Sequence, residues 1–154
     1  MQLNSLLDAR LLHLHQAPLQ RDVLFRQIAG QLLSEELVTE SYADALIARE
    51  QDHPTAMPLE TMGVAIPHVD IEHIRQPKLV VVTCPEGIEF YQAEDPELTM
   101  RVQVIFFLLL NEKDAHLEFL MKLISLFQKT DEMNQLLSSA SREAVMQLLA
   151  NNLA

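Results

Sequence analysis

The chain reads as an α/β protein, a mixed β-sheet flanked by helices, and three features predict that class. Two runs of apolar, strand-type residues stand in the second half, Leu79-Val80-Val81-Val82-Thr83-Cys84 and Val102 to Leu110. Each is too short to cross a bilayer as a helix and too evenly apolar to have a wet face, so each is a strand buried on both sides. Segments with helical spacing precede and follow them, and layers of helix on a mixed sheet are the expected architecture. With 154 residues, 49% of them hydrophobic, the chain suits one domain with a proper core, expected to span residues 1–154.

Residues 1–18 form a leader expected to lie as a small strand or turn on the sheet edge. From Leu19 to Ser34, Phe25, Ile28, Ala29, Leu32 and Leu33 share one face of a predicted helix. Thr39 is the expected N-cap of a second helix, with Glu40 in the first turn, where the dipole favours an anion. Tyr42, Ala45 and Leu46 form its apolar stripe, and Arg49 continues that stripe. Pro54 and Pro58 mark 52–61 as a loop. Val64-Ala65-Ile66 then runs as a strand into Pro67, which lacks an N–H and ends the pairing, so His68 emerges at the strand's end.

The run 79–84 stops at Pro85, and Gly87-Ile88-Glu89-Phe90 reads as a shorter strand after a turn. Val102 to Leu110 is a central strand. Asp114 is the expected N-cap of the next helix, whose Glu118, Lys122, Ser125 and Lys129 make one narrow polar stripe, so the helix is expected to be nearly buried. Two short helices, about 131–137 and 141–151, complete the order helix, helix, strand, strand, strand, strand, helix, helix, helix.

Twenty-two acidic against 11 basic residues give a formal charge of −11, which argues against nucleic acid or an anionic membrane as the main partner. The lone Cys84 has no partner for an internal disulfide and favours a reducing compartment. No signal peptide is recognisable, and the stretch between Arg10 and Arg21 is too short and polar to span a bilayer, so a cytoplasmic location without membrane insertion is expected. The three glycines, Gly30, Gly63 and Gly87, are isolated, and no phosphate-binding loop or Gly-x-Ser-x-Gly elbow is present. Neither a nucleotide nor another cofactor is expected. Nucleophilic chemistry falls to histidine.

Imidazole is largely neutral, hence nucleophilic, near pH 7. His68, at a strand end beside a loop, is placed for transfer chemistry; the plainer reading is a strand-capping residue facing water. His13 and His15 read as an exposed polar edge, and His53 as a solvated loop residue. His68, Asp70 and His73 compose an alternative, the metal site of a metal-dependent hydrolase, but no His-Glu-x-x-His or His-x-x-Glu-His spacing accompanies them. His116 shares a helical face with Phe119, Leu120 and Leu123, so it points toward the sheet. It is a packed core histidine, or a second member of a site if that helix begins at the sheet end where His68 emerges.

Arg49-Glu50 at a helix end, Thr55 in a loop, Ala65-Ile66-Pro67-His68, and His116 heading an apolar helix together resemble the fructose/mannitol-type enzyme IIA domain of the bacterial sugar phosphotransferase system. The resemblance runs from about residue 20 to the C-terminus. It implies the single-domain mixed sheet of that family and a phosphoryl-carrier activity. By motif position His68 would accept a phosphoryl group from the phosphocarrier HPr and pass it to an enzyme IIB partner, which serves the IIC transporter in turn. The resemblance implies His116 as the second histidine on the phosphoryl oxygens and Arg49 as a nearby positive group. The spacer Ala56-Met57-Pro58-Leu59-Glu60-Thr61-Met62 departs from the family's glycine-rich Thr-Gly-Ile-Gly-Asn-Gly and is more similar to the galactitol-specific branch. A regulatory module of the same fold, phosphorylated on His68 but controlling a partner protein, is the other implied role.

The physical logic agrees. A phosphohistidine bond is labile, and a neighbouring imidazole N–H and a guanidinium would stabilise the equatorial oxygens in a loose transition state. Arg49 either clamps phosphate or closes its helix as a cation. Thr55 either donates its hydroxyl to phosphate or is a turn residue. Met57, Leu59 and Met62 either face partners or tuck under the loop as a satellite core.

Overall fold

Every residue from Val104 to Leu110 is buried, as a strand covered on both faces requires, and this run is the middle of the sheet. In the computed structural model, which describes residues 3–154, the elements are α1 (Leu3–Leu6), β1 (Leu12–His13), α2 (Arg21–Ser34), α3 (Tyr42–Asp52), β2 (Met57–Pro58), β3 (Gly63–Ala65), β4 (Lys78–Tyr91), β5 (Thr99–Leu109), α4 (Lys113–Phe127), α5 (Thr130–Ser138) and α6 (Arg142–Leu153). The five strands lie in the order β1-β4-β5-β3-β2. β1/β4 and β3/β5 are parallel, whereas β4/β5 and β2/β3 are antiparallel, so the sheet is mixed as expected.

Alternation along β5 sorts the two layers. Ile105, Phe107 and Leu109 belong to one core with Phe25, Ile28 and Leu32 of α2 and Tyr42 and Leu46 of α3. Val104, Phe106 and Leu108 belong to the other, with Leu123 and Leu126 of α4, Leu136 of α5, and Val145 and Leu149 of α6. Successive strand side chains point to opposite faces, and both faces here are apolar because both are covered.

Several expectations need correction. The leader does place a strand on the sheet edge, β1 beside β4, but Leu3–Leu6 is helical; residues 1 and 2 lie outside the described residues. Leu33 is exposed rather than part of the inner face of α2. The N-cap of α3 is Ser41, not Thr39: the Thr39 carbonyl accepts the Tyr42 N–H at 3.1 Å and its hydroxyl hydrogen-bonds with Ser41 Oγ at 2.7 Å. Likewise α4 begins after Glu112, which leaves Asp114 inside the first turn, where its charge suits the dipole.

No turn divides 79–84 from 87–90. Cys84, Pro85, Glu86 and Gly87 lie opposite Gln103 alone, a bulge between the Thr83↔Val104 and Ile88↔Val102 pairs, so β4 is one bent strand. Pro85 is tolerated because it needs no ladder N–H there, and Gly87 absorbs a φ of 86°. Pairing also does not stop at Pro67: its carbonyl accepts the Leu108 N–H at 3.1 Å, and His68 is bridged to Leu108 in parallel. Proline removes a donor but keeps its acceptor. Finally, α4 is not nearly buried, since Leu117 and Met121 are 63% and 64% exposed. Of the spacer, Met62 is buried and Met57 and Leu59 pack partly against the same core, so these side chains tuck under the loop.

β3 lies close against β5, and a Cβ on Gly63 would run into the Arg101 carbonyl and the Met100 side chain. Gly63→Ala is therefore expected to part the strands and destabilise the protein by about 1–3 kcal/mol. Thermal unfolding measures this; an unchanged melting temperature would show that the strands separate without cost.

Candidate functional site

The residues Ile66 and Pro67 set the site. Beyond Ala65 the chain stays beside β5, and the loop from β5 into α4 is only a few residues long, so the head of α4 returns to the same sheet end. This meets the condition on His116: the His68 and His116 ring centroids are 4.8 Å apart at 75°, an edge-to-face arrangement. Arg49, in the last turn of α3, joins them in an open hollow of about 550 Å³ that is also lined by Val69, Asp70, Ile71, Glu72 and Lys113. A hollow of about 630 Å³ lies near the β4 bulge, lined by Arg21, Arg101, Asp22 and Glu89 among others, with no histidine.

His68 is oriented by its own backbone. Its Nδ1 lies 2.8 Å from the Ile66 carbonyl oxygen, which only accepts, so in the neutral ring the proton sits on Nδ1 and the lone pair on Nε2. Burial holds the His68 pKa below the ordinary histidine value, helped by His116 and Arg49 and opposed by the Ile66 carbonyl and Asp70. Burial and Arg49 push His116 down as well. Both rings are therefore neutral near pH 7, and His68 carries a free nucleophilic nitrogen.

Arg49 closes its helix and also faces the hollow. One guanidinium nitrogen donates to the His53 carbonyl at 2.8 Å, closing α3, and the group still lines the hollow. A guanidinium has five N–H donors, so the helix closure leaves others available. Thr55 is set apart. It is 8% exposed and does not line the hollow; its hydroxyl donates to Glu50 Oε1 at 2.9 Å and accepts the Ile66 N–H at 3.1 Å.

Two nearby residues escaped the sequence reading of the site. Glu50 is 1% exposed and accepts the Thr55 N–H at 2.7 Å as well as its hydroxyl. The signal was available: Glu50 falls four residues after Leu46 and eight after Tyr42, a carboxylate on the buried row of the helix. Lys113 lines the hollow from the first residue of α4, and nothing in its local sequence marked it.

Among the remaining histidines, His53 is exposed as expected. His15 is exposed as expected, with its Nε2 3.2 Å from the Leu137 carbonyl, whereas His13 is half-buried and its Nε2 hydrogen-bonds with Gln31 Oε1 at 2.9 Å. His73 Nδ1 hydrogen-bonds with Ser41 Oγ at 2.7 Å. Among the described residues no group of three or more His, Cys, Asp or Glu side chains is arranged to hold a metal ion, so His68, Asp70 and His73 do not form the set a hydrolase would need. No helix among them is long and apolar enough to cross a membrane.

A family model described as "Phosphoenolpyruvate-dependent sugar phosphotransferase system, EIIA 2" matches residues 5–152. The galactitol-specific EIIA component of Escherichia coli K12 is 26% identical over 118 residues, which cover 77% of this chain and 78% of that protein. A solved complex of enzyme IIA and phosphorylated enzyme IIB for mannitol from Escherichia coli matches with a TM-score of 0.77 at 21% identity, covering 94% of this chain and 97% of the matched one. The nitrogen regulatory protein IIA-Ntr of Neisseria meningitidis matches with a TM-score of 0.70 at 26% identity, covering 92% and 97%.

Proposed function

The chain belongs to the phosphoenolpyruvate-dependent sugar phosphotransferase system EIIA 2 family, and we propose that His68 is the residue on which it carries the phosphoryl group. The observation that carries this reading is the Nδ1 bond to the Ile66 carbonyl, which leaves Nε2 free beside His116 and Arg49. The donor is phospho-HPr. The Nε2 lone pair attacks phosphorus as the donor's P–N bond breaks, and that bond's electron pair stays on the donor nitrogen. His68 keeps its Nδ1 proton, so its ring becomes cationic and the Ile66 carbonyl stabilises it more strongly. Arg49 and an N–H of His116 hold the equatorial oxygens while the transferring group is loosely bound to both nitrogens. In the second half-reaction a cysteine thiolate of the EIIB partner attacks phosphorus, and the electron pair returns to Nε2. Because the donor is already a phosphohistidine, neither metal nor nucleotide enters the chemistry. Thr55 acts behind the site and not on the phosphoryl oxygens.

The family is one of sugar transport, and the galactitol-specific relative, with the long glycine-poor spacer 56–62, supports a hexitol of the galactitol type as the cargo. We read residues 1–154 as one EIIA unit acting in the cytoplasm, where HPr is met. Incubation with phosphoenolpyruvate, enzyme I and HPr, followed by mass analysis of peptides, tests the assignment. One phosphoryl group on the peptide containing His68 is the expected product. A label elsewhere, or none, would overturn it.

The transfer also requires EIIB to touch the rim of the hollow. Leu117 follows His116 in the first turn of α4, and Leu117, Met121 and Ile124 form one exposed apolar face at helical spacing. We read that face as the EIIB contact, since it adjoins the head of α4, where Lys113 and His116 line the hollow. Leu117→Ser with Met121→Ser should weaken EIIB association at least tenfold, measured by titration calorimetry, with little change in melting temperature. A lowered melting temperature with unchanged affinity would assign these side chains to the core.

A further inference from the structure

Glu50 sits on the apolar row of α3, almost without exposure, and each oxygen of its carboxylate accepts a hydrogen bond. One oxygen accepts the Thr55 N–H at 2.7 Å and the other the Thr55 hydroxyl at 2.9 Å. The same hydroxyl oxygen accepts the Ile66 N–H at 3.1 Å, and the Ile66 carbonyl accepts the His68 Nδ1–H at 2.8 Å. Three of these groups can act in one direction only. Both backbone N–H groups must donate and the carbonyl must accept, so the hydroxyl proton of Thr55 points to Glu50 and the Nδ1 proton to Ile66.

We propose that Glu50 is a positioning residue for His68, acting through the Thr55 hydroxyl and residue Ile66 to hold the imidazole with Nδ1 protonated and Nε2 free. The reason lies in the neighbouring proline. β3 and its ladder end at Ala65, so the Ile66 N–H falls outside the β3–β5 pairing. The peptide between Ile66 and Pro67 has no N–H of its own to anchor it. The Ile66 side chain packs into the core on the α4 side of the sheet, so the polar hold on residue 66 is its N–H, and Thr55 keeps that hold only while Glu50 orients the hydroxyl. Without that hold, Ile66 can turn, its carbonyl leaves Nδ1, and the ring is free to take the other tautomer, in which Nε2 bears the proton and cannot attack. A carboxylate that only closed the 53–56 loop would bind the Thr55 N–H and leave the tautomer untouched. Desolvation raises the Glu50 pKa while the Thr55 donors, Arg21 and Arg49 oppose it, which is the balance of a carboxylate kept for its acceptors.

This inference rests on His68 being the phosphoryl acceptor, and the two are tested separately. Nitrogen-15 chemical shifts of the histidine rings, read on the full chain with no phosphoryl donor, report the tautomer. The wild-type protein should show His68 protonated on Nδ1, and Glu50→Gln and Thr55→Val should both show a tautomer mixture, while Thr55→Ser restores the wild-type pattern. The rate of labelling from phospho-HPr should fall roughly 10–100-fold in the first two at unchanged HPr affinity, the usual cost of removing a group that orients a functional histidine. A wild-type His68 protonated on Nε2 overturns the proposal even if the variants do not fold. So does a single wild-type tautomer with wild-type rate in Glu50→Gln and Thr55→Val. A tautomer that responds in a protein whose label appears on another residue would uphold the role of Glu50 and defeat the assignment of the acceptor instead.

Discussion

His68→Ala will carry no acid-labile phosphoryl group after incubation with phosphoenolpyruvate, enzyme I and HPr, while unfolding at nearly the wild-type temperature. In the proposed reaction the loss is total, because Nε2 is its one nucleophilic atom and alanine offers none. The fold survives because His68 belongs to neither apolar core and its ring bonds only to the backbone two residues away. The Pro67 carbonyl, which pairs with Leu108, is unaffected by the side chain. His116 is the alternative acceptor that this variant exposes, since its ring is 4.8 Å from that of His68. Mass analysis and circular dichroism on one preparation decide the matter. Label retained on His116 would move the acceptor to that residue, and a large fall in melting temperature would show His68 to be structural.

The architecture was legible where one physical cause dominated. Unbroken apolar runs have one solution in a chain of this size, and both became central strands covered on two faces. The helix 21–34 was legible from four buried positions at helical spacing, Phe25, Ile28, Ala29 and Leu32. What failed was local punctuation. Pro85 and Pro67 were both read as stops, yet a bulge accommodates the first and an accepting carbonyl continues the pairing at the second. Proline forbids a donor and not a strand, and only the register of the partner strand decides which applies. The same limit explains Thr39 and Asp114. Each is a good capping side chain, but the observed caps, Ser41 and Glu112, lie two residues away.

The site was legible in part, for a related reason. His68 and His116 stand out because a nucleophilic side chain at a strand end and a histidine on an apolar helical face are both unusual. Their meeting depends on β5 being central and its loop short, which the apolar run from Val102 to Leu110 and the helix after it already implied. For Thr55 the sequence leaves two readings open, a hydroxyl donated to phosphate and a turn residue. The structure instead gives the hydroxyl two buried partners, Glu50 and the Ile66 N–H. A hydrogen-bond network closing across separated segments has no periodicity, and so leaves no trace in spacing. The exposed face of α4 was missed by counting only its polar residues: Glu118 and Lys122 do pair at 3.6 Å, but Leu117 and Met121 beside them are uncovered.

Arg49→Gln should slow phosphoryl acceptance by about 10²–10³-fold and also move the acid limb of its pH profile upward. The rate loss is the usual cost of removing one donor aimed at developing charge. The pH effect follows from the position of the guanidinium. Attack needs neutral His68, so the rate is level at high pH and falls as pH drops through the His68 pKa. That pKa lies below the ordinary value of about 6.5 because burial, His116 and Arg49 all disfavour a second positive charge in the hollow. Removing Arg49 removes one of these and leaves the others, so the limb rises toward the ordinary value without reaching it. Glutamine also loses the bond to the His53 carbonyl, which would loosen the end of α3. Arg49→Lys separates the causes: it keeps the positive charge, hence the acid limb, but loses the fork that reaches two oxygens, hence much of the rate. Single-turnover labelling across pH 5–8, beside a ring titration of His68, measures both quantities. A wild-type rate and limb in Arg49→Gln, with a lower melting temperature, would reduce Arg49 to the residue that closes α3.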